Sequence, residues 1–287
     1  MIGAGQRMLR LVLALGAALM TSAAPAATTL FVIADTGDCR THGTAEVSAA
    51  IRAQPDWQQG WLVEVGDLAY PTATPERLAE CNVPYFGMFA RALAAPGNHD
   101  WDDHHERGFH TLFPDPVPRA VPLDGDWQLW LLDSELTGKD WRAQTRWLDA
   151  KARNHGAACV IAAWHRPRWS SGWHGNDANM TPLWQRVAGV ATFTLHGHDH
   201  HYESIAPLDR NGQPDPRGTR SFVVGNGGAS LFPPIRRSEH GHAVGGRWGF
   251  LRLDLDGRHY RWTEFAVDGE QLDSGSGDCL APARRSK

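Results

Sequence analysis

Five short apolar runs in this sequence each end in side chains able to do acid–base or metal chemistry. The run at 30–34 leads into Asp35-Thr36-Gly37, and the run at 62–65 into Gly66-Asp67-Leu68-Ala69-Tyr70. The run at 91–95 leads into Gly97-Asn98-His99-Asp100, that at 159–164 into His165, and that at 191–195 into Gly197-His198-Asp199-His200. Carboxylates, an amide oxygen, a phenol and imidazoles mix hard oxygen with borderline nitrogen donors, a combination suited to Fe, Mn or Zn. Two carboxylates, one amide oxygen, one phenol and three or four imidazoles from these runs are too many ligands for one tetrahedral ion. They fit two ions bridged by one carboxylate, an arrangement that clamps an in-line phosphoryl displacement.

For these groups to meet, the runs must be neighbouring parallel strands, because open α/β sheets bind ligands at the carboxyl ends of their strands. The intervening sequence agrees. Residues 44–52 and 140–153 have helical patterns, Thr74-Pro75-Glu76 is a helix start with Thr as N-cap, and 127–132 is a further strand. His198 and His200, two apart on a segment expected to be extended, would project to one side. After His200 the character changes. Segments 202–208, 221–224, 249–255 and 260–267, with the dipeptides Asn211-Gly212, Asp256-Gly257 and Asp268-Gly269, predict mostly antiparallel strands. Gly225-Asn226-Gly227-Gly228 lacks the lysine of a phosphate-cradling loop and reads as a tight turn. With no repeat or linker, the expectation is one α/β domain with mixed sheets.

The N-terminus reads as an address. Arg7 and Arg10 precede an apolar run at 11–20, and Ala24-Pro25-Ala26 forms a small-residue cleavage site. A signal peptide at 1–26 is therefore expected, with export to the periplasm or medium and residues 27–287 as the mature domain. The run is too short for a permanent membrane span, so no stable membrane insertion is expected. The formal charge of −4 and the lack of a basic block exclude a nucleic-acid partner. Cys39, Cys81, Cys159 and Cys279 allow three disulfide pairings, and Cys159, opening an apolar run, is equally readable as a buried thiol. His196 and His201 read as supports of the flanking motif. His104, His105, His240 and His242 read as exposed loop residues, and Trp173 as a wall of the cleft. Nothing in the sequence sets the oligomeric state.

Together the five motifs resemble those of the calcineurin-like metallophosphoesterases, specifically the purple acid phosphatase branch in its bacterial single-domain form. The family blocks run GDxG, GDxxY, GNH followed by Asp or Glu, xxxH and GHxH. Here they read ADTG at 34–37, GDLAY at 66–70, GNHD at 97–100, AAWH at 162–165 and GHDH at 197–200. The resemblance implies mixed β-sheets packed in a sandwich flanked by helices, a four-layer fold, with 27–287 as the single catalytic domain. It implies one metal at Asp35, Asp67, Tyr70 and His200, and a second at Asp67, Asn98, His165 and His198. It further implies that His99 contacts substrate phosphate, oriented by Asp100, and that His174 is a second substrate-facing histidine.

Two positions depart from common patterns. Ala34 stands where the family usually has Gly, and Gly37 stands where many metallophosphoesterases carry a histidine ligand, whose role passes to Tyr70. A phenol, with an ordinary pKa of about 10, ionises near neutral pH only beside a strong Lewis acid. That argues for Fe(III) at the Tyr70 site and divalent Fe, Zn or Mn at the second. The expected activity is hydrolysis of small phosphate monoesters by in-line attack of a metal-bound hydroxide. A phosphodiesterase or nucleotide pyrophosphatase would use the same site. A non-catalytic metal-binding secreted protein is the third reading.

Overall fold

The computed structural model describes residues 27–102, 106–156 and 158–280. The expected signal peptide at 1–26 and the histidines at 104 and 105 lie outside the described residues. The chain opens with β1 (Thr28–Ile33), buried along its whole length, then α1 (Gly43–Arg52) and β2 (Trp61–Val65). The short helices α2 (Pro75–Cys81) and α3 (Val83–Phe86) lead to β3 (Ala92–Ala95). Thr74 caps α2 as its sequence predicts, accepting the Arg77 N–H at 3.2 Å. β1, β2 and β3 are parallel neighbours.

After α4 (Asn98–Trp101) and α5 (Arg107–Leu112), β4 (Arg119–Pro122) and β5 (Trp127–Leu131) begin a second sheet. Beyond α6 (Gly138–Arg153), β6 (Cys159–Ala163) lies parallel to β5, and beyond α7 (Thr181–Val187), β7 (Phe193–His196) lies parallel to β6. β8 (Tyr202–Leu208), β9 (Thr219–Val224) and β10 (Gly241–Val244) complete this sheet in the order β10-β8-β9-β7-β6-β5-β4. β11 (Gly249–Asp256), β12 (His259–Ala266) and β13 (Gln271–Asp278) then return to the first sheet, ordered β13-β12-β11-β1-β2-β3.

Side-chain alternation along each strand builds the layers. Val32, Val63 and Leu253 of the first sheet meet Leu129, Ile161 and Phe193 of the second in the central core. On the outer face of the first sheet, Phe31 and Ile33 bury against Val47 and Ile51 of α1. Outside the second sheet, Trp130 and Val160 bury against Leu148 of α6 and Leu183 of α7. The result is the expected four layers, helix on sheet on sheet on helix. β1 from Leu30 onward and the whole of β6, covered on both faces, are unbroken apolar runs, as strands between layers tend to be.

The later strands are mostly antiparallel, as expected, with β9 antiparallel to β8 and parallel only to β7. Other features differ from the sequence expectation. β13 forms from QLDSGSGD, which carries no strand signal of its own. Its glycines sit directly across from aromatics of β12, Gly275 from Trp262 and Gly277 from Tyr260, and those rings cover them. Nor is Cys159 a free thiol: the pairs are Cys39–Cys81 and Cys159–Cys279. The second joins the start of β6 to the end of β13, and so clasps one sheet to the other. Chain separations of 42 and 120 residues make each bridge worth about 2–4 kcal/mol through restriction of the unfolded chain.

Glu264 of β12 is fully buried; Asn226 donates to its Oε1 at 2.7 Å, while Oε2 has no hydrogen-bond partner among the described residues. Burial raises its pKa from 4.5 to about 8. A carboxyl that holds its proton more tightly when folded stabilises fully below its unfolded pKa, and that stability is lost as pH rises through the folded value. Thermal melts of Glu264→Gln should therefore flatten the fall in Tm between about pH 5 and 8. An unchanged slope would show that Glu264 does not carry this dependence.

Candidate metal centre

The carboxyl ends of β1, β2, β3, β6 and β7 deliver the five motifs to one end of the sandwich. Backbone hydrogen bonds register the loops: Asp35 N–H to Gly66 O at 3.1 Å, and Gly197 N–H to His165 O at 3.0 Å. Asp35, Asp67 and His198 have φ of 56°, 55° and 71°, a left-handed conformation that costs a non-glycine residue about 1–3 kcal/mol. It turns each side chain sharply off its strand direction. His198 and His200 thus do not share an extended segment as the sequence suggested; the left-handed turn at His198 sends them to the two halves of the centre. Gly97 is needed for close approach, since a Cβ there would collide with Asp67 and His165.

In one half, the Tyr70 hydroxyl lies 2.7 Å from Asp35 Oδ1, 3.0 Å from Asp67 Oδ2 and 3.1 Å from His200 Nε2. One hydroxyl proton cannot satisfy three acceptors. His200 Nδ1–H donates to Ser230 O at 2.6 Å, which leaves Nε2 as a lone pair 3.3 Å from Asp35 Oδ1. In the other half, the fully buried His165 donates from Nδ1 to Val65 O at 2.8 Å, which turns Nε2 to Asp67 Oδ2 at 3.2 Å. Asp67, His165 and His198 can each bring a ligand atom within 4.8 Å of the others. Among the described residues, Asn98 Oδ1 is buried with no hydrogen-bond partner, and His165 Nε2, though close to Asp67 Oδ2, makes no well-aligned hydrogen bond. Crowded oxygen and nitrogen donors, with a buried amide oxygen unpartnered among them, fit cations in both halves.

Without a cation, protons must carry the positive charge. Burial opposes a charged His165, but Asp67 and Asp35 outweigh it and lift its pKa to about 10. His200 is raised as well: burial opposes, and Asp35 prevails. Asp67 is held below the usual carboxylate range, His165 overcoming the effect of burial. Burial, then Asp35 and Asp67, push the Tyr70 phenol well above its ordinary value. His198 goes the other way: burial, then His165 and Arg166, keep it neutral.

The remaining expected residues divide. The His99 ring packs 4.5 Å from the Tyr70 ring, and its Nδ1–H donates to Pro71 O at 2.5 Å; Nε2 lies 3.9 Å from Asp67. The His174 ring lies 4.0 Å from that of His198, at the exposed edge of the centre. Asp100 does not orient His99. Its buried carboxylate accepts the N–H groups of Gly97, Asp67 and Leu68 at 2.8, 2.9 and 3.2 Å, and the carboxylate nearest His99 Nδ1 is that of Asp102, at 3.6 Å. Asp100 is thus a positioning residue that staples the second motif loop to the third. His196 is structural as expected, hydrogen-bonded at both nitrogens, with burial lowering its pKa to about 3.

The sequence reading missed Arg166. It follows His165 at the end of β6, with Nη1 3.0 Å from His198 Nε2 and Nε donating to Glu135 at 2.7 Å. Its Nη2 makes no hydrogen bond among the described residues. Its place at the end of β6, directly after His165, was the available signal. Asp199, between the two motif histidines, was also missed: it accepts from Ser170 Oγ at 2.5 Å and His174 N–H at 2.8 Å, and so holds the loop at 170–174.

The sequence profile of the family described as calcineurin-like phosphoesterase matches residues 28–202. The chain belongs to the calcineurin-like phosphoesterase family. Its membership makes it a relative of metal-dependent phosphoester hydrolases, and the two donor sets suit that chemistry. No curated protein matches by sequence. Among solved structures, the purple acid phosphatase PPD1 from yellow lupin (Lupinus luteus) seeds superposes with a TM-score of 0.69 at 17% identity, covering 88% of this chain and 54% of that one. GAP50, the anchor in the inner membrane complex of Plasmodium, gives 0.70 at 12%, covering 91% and 90%. PhoD gives 0.59 at 11%, covering 89% and 69%. At these identities the likeness is one of fold. The chain spans about half the length of the lupin phosphatase.

Removing the Asp100 carboxylate should loosen two ligand loops at once. Asp100→Ala leaves three buried N–H groups unpaired and should cost about 3 kcal/mol or more in urea unfolding, with lower metal retention after dialysis. Normal stability and metal content would return Asp100 to a merely local role.

Proposed function

We propose that this chain hydrolyses phosphate monoesters with two bound cations. The observation that carries the reading is Asp67 Oδ2, a single oxygen that faces Tyr70 Oη at 3.0 Å in one half and His165 Nε2 at 3.2 Å in the other. An oxygen shared by two donor sets suits a carboxylate bridge. Asp35, Asp67, Tyr70 and His200 would hold one cation, and Asp67, Asn98, His165 and His198 the other. Such a pair supplies Lewis acidity toward both water and the phosphoryl oxygens.

The chain's own groups supply the rest. His99, with Nδ1–H committed to Pro71, offers Nε2 for proton exchange with the departing ester oxygen. Arg166, pinned by Glu135 and His198, has Nη2 left to hold phosphate oxygens, and His174 stands across the edge. These cationic or protonatable groups beside a compact centre favour a monoester dianion over the diester reading. Phosphate release by metal-loaded protein should be faster from p-nitrophenyl phosphate than from bis(p-nitrophenyl) phosphate, and faster diester turnover would reverse the assignment. Arg166→Ala should raise KM for the monoester about tenfold, with a smaller change in kcat.

We assign Fe(III) to the Tyr70 half and divalent Fe, Zn or Mn to the other. The support is the phenol itself, whose ionisation beside two carboxylates demands a strong Lewis acid. Protein purified in air should contain iron and absorb visible light, and Tyr70→Phe should lose that absorption; a band that survives would place the iron elsewhere. We also propose export. Support comes from the pairing of all four cysteines, which suits an oxidising compartment. N-terminal sequencing of protein recovered from outside the cytosol should begin at Ala27, and an intact Met1 would refute it.

A further inference from the structure

Among the described residues, the large apolar side chains left exposed are Met88, Trp173, Phe232 and Ile235. The last three stand on two loops beside the metal centre, with exposures of 70%, 48% and 54%. Exposed apolar groups scattered singly are ordinary, but a cluster at one place marks a surface that binds something. The two loops are tied to one another. Ile235 N–H and Arg236 N–H both donate to Ser171 O at 3.1 Å, and Arg236 Nη2 donates to Gly172 O at 3.1 Å.

Each loop is also fixed to the candidate ligands. The Phe232 ring lies 5.0 Å from that of His200, and its N–H donates to His200 O at 3.1 Å. His174, next to Trp173, has its ring 4.0 Å from that of His198. Buried Asp199 and Glu203 hold the first loop from below, Asp199 through Ser170 and His174, Glu203 through both the N–H and the hydroxyl of Ser171 at 2.8 Å. Phe232 therefore stands against His200, and Trp173 stands exposed on the loop that brings His174 to His198.

We propose that the centre takes phosphate esters whose organic group is aromatic or broadly apolar, and that Trp173 and Phe232 hold that group while the phosphate occupies the metal centre. The proposal rests on the phosphohydrolase reading above and adds the substrate class to it. Aromatic side chains bind such a group by area and by ring stacking, and lose little conformational freedom in doing so. A sugar or a small alkyl group would leave the same surface wet.

The test compares 2-phenylethyl phosphate with ethyl phosphate. Their leaving alcohols are of similar acidity, so the ratio of kcat/KM reports contact with the organic group and not the chemistry of departure. In the wild type the ratio should favour the phenylethyl ester about tenfold or more. In Trp173→Ala and in Phe232→Ala it should fall to within about threefold of unity. A change confined to folding would slow both esters alike and keep the ratio, which would overturn the proposal, as would a wild-type ratio near unity.

A second arm needs no turnover. Calorimetry on metal-loaded protein should show tighter binding of 2-phenylethylphosphonate than of ethylphosphonate, with the difference lost in Trp173→Ala. If neither ester is hydrolysed, the phosphohydrolase reading fails while the phosphonate pair still decides this one. Equal affinities, or no binding of either, overturn it. Adsorption of wild type but not Trp173→Ala to phosphatidylcholine vesicles would assign the surface to lipid instead.

Discussion

Two carboxylates, Asp35 and Asp67, are held in a buried site on left-handed backbone, facing lone pairs of a phenol and two imidazoles. Everything else in the molecule serves that crowding. Parallel strands aim their ends at one place, glycines let backbone pass within touching distance, and Asp100 ties the second and third motif loops together through the N–H groups of Asp67, Leu68 and Gly97. A field this negative favours cations, and it pulls protons onto His165 and His200 when no other positive charge is at hand. The strain in the loops is stored where the chemistry is, as expected of a site whose geometry the surrounding fold over-determines.

Much of this was legible in the sequence because apolar runs ending in Asp, Asn or His repeat a simple rule: strand, then functional loop. The parallel strands declared themselves through unbroken apolar stretches, and α2 through Thr74 and Pro75. What could not be read was whatever depends on a partner distant along the chain. β13 is a strand because Trp262 and Tyr260 lie across from its glycines. The cysteine pairing follows from which strands end near each other. Asp100 looked like a companion of His99, its neighbour in sequence, but it points instead to backbone some thirty residues earlier. Arg166 was passed over because its worth lies in Glu135 and His198, one in the β5–α6 connection and the other beyond β7.

The site has a dry floor and a patterned edge. Its floor sits on a fold that recurs in solved structures at identities of 11–17%. Its edge is carried by loops 170–175 and 230–237, which the sheets do not dictate. The separation is physical: buried acids and imidazoles tolerate no change without a compensating charge, whereas exposed aromatics can be exchanged at little cost to folding. Chemistry would therefore stay fixed in such a scaffold while the choice of ester varies with the loops.

The position of β1 has a temporal consequence. It lies inside the first sheet, with β2 on one side and β11 on the other, pairing Leu30 with Leu253. β2 leaves the ribosome soon after β1, but β11 is translated some two hundred residues later. Until then the strand leading to Asp35 has an open flank, so the nascent polypeptide cannot complete the sheet beneath these side chains until nearly all of it has been synthesised.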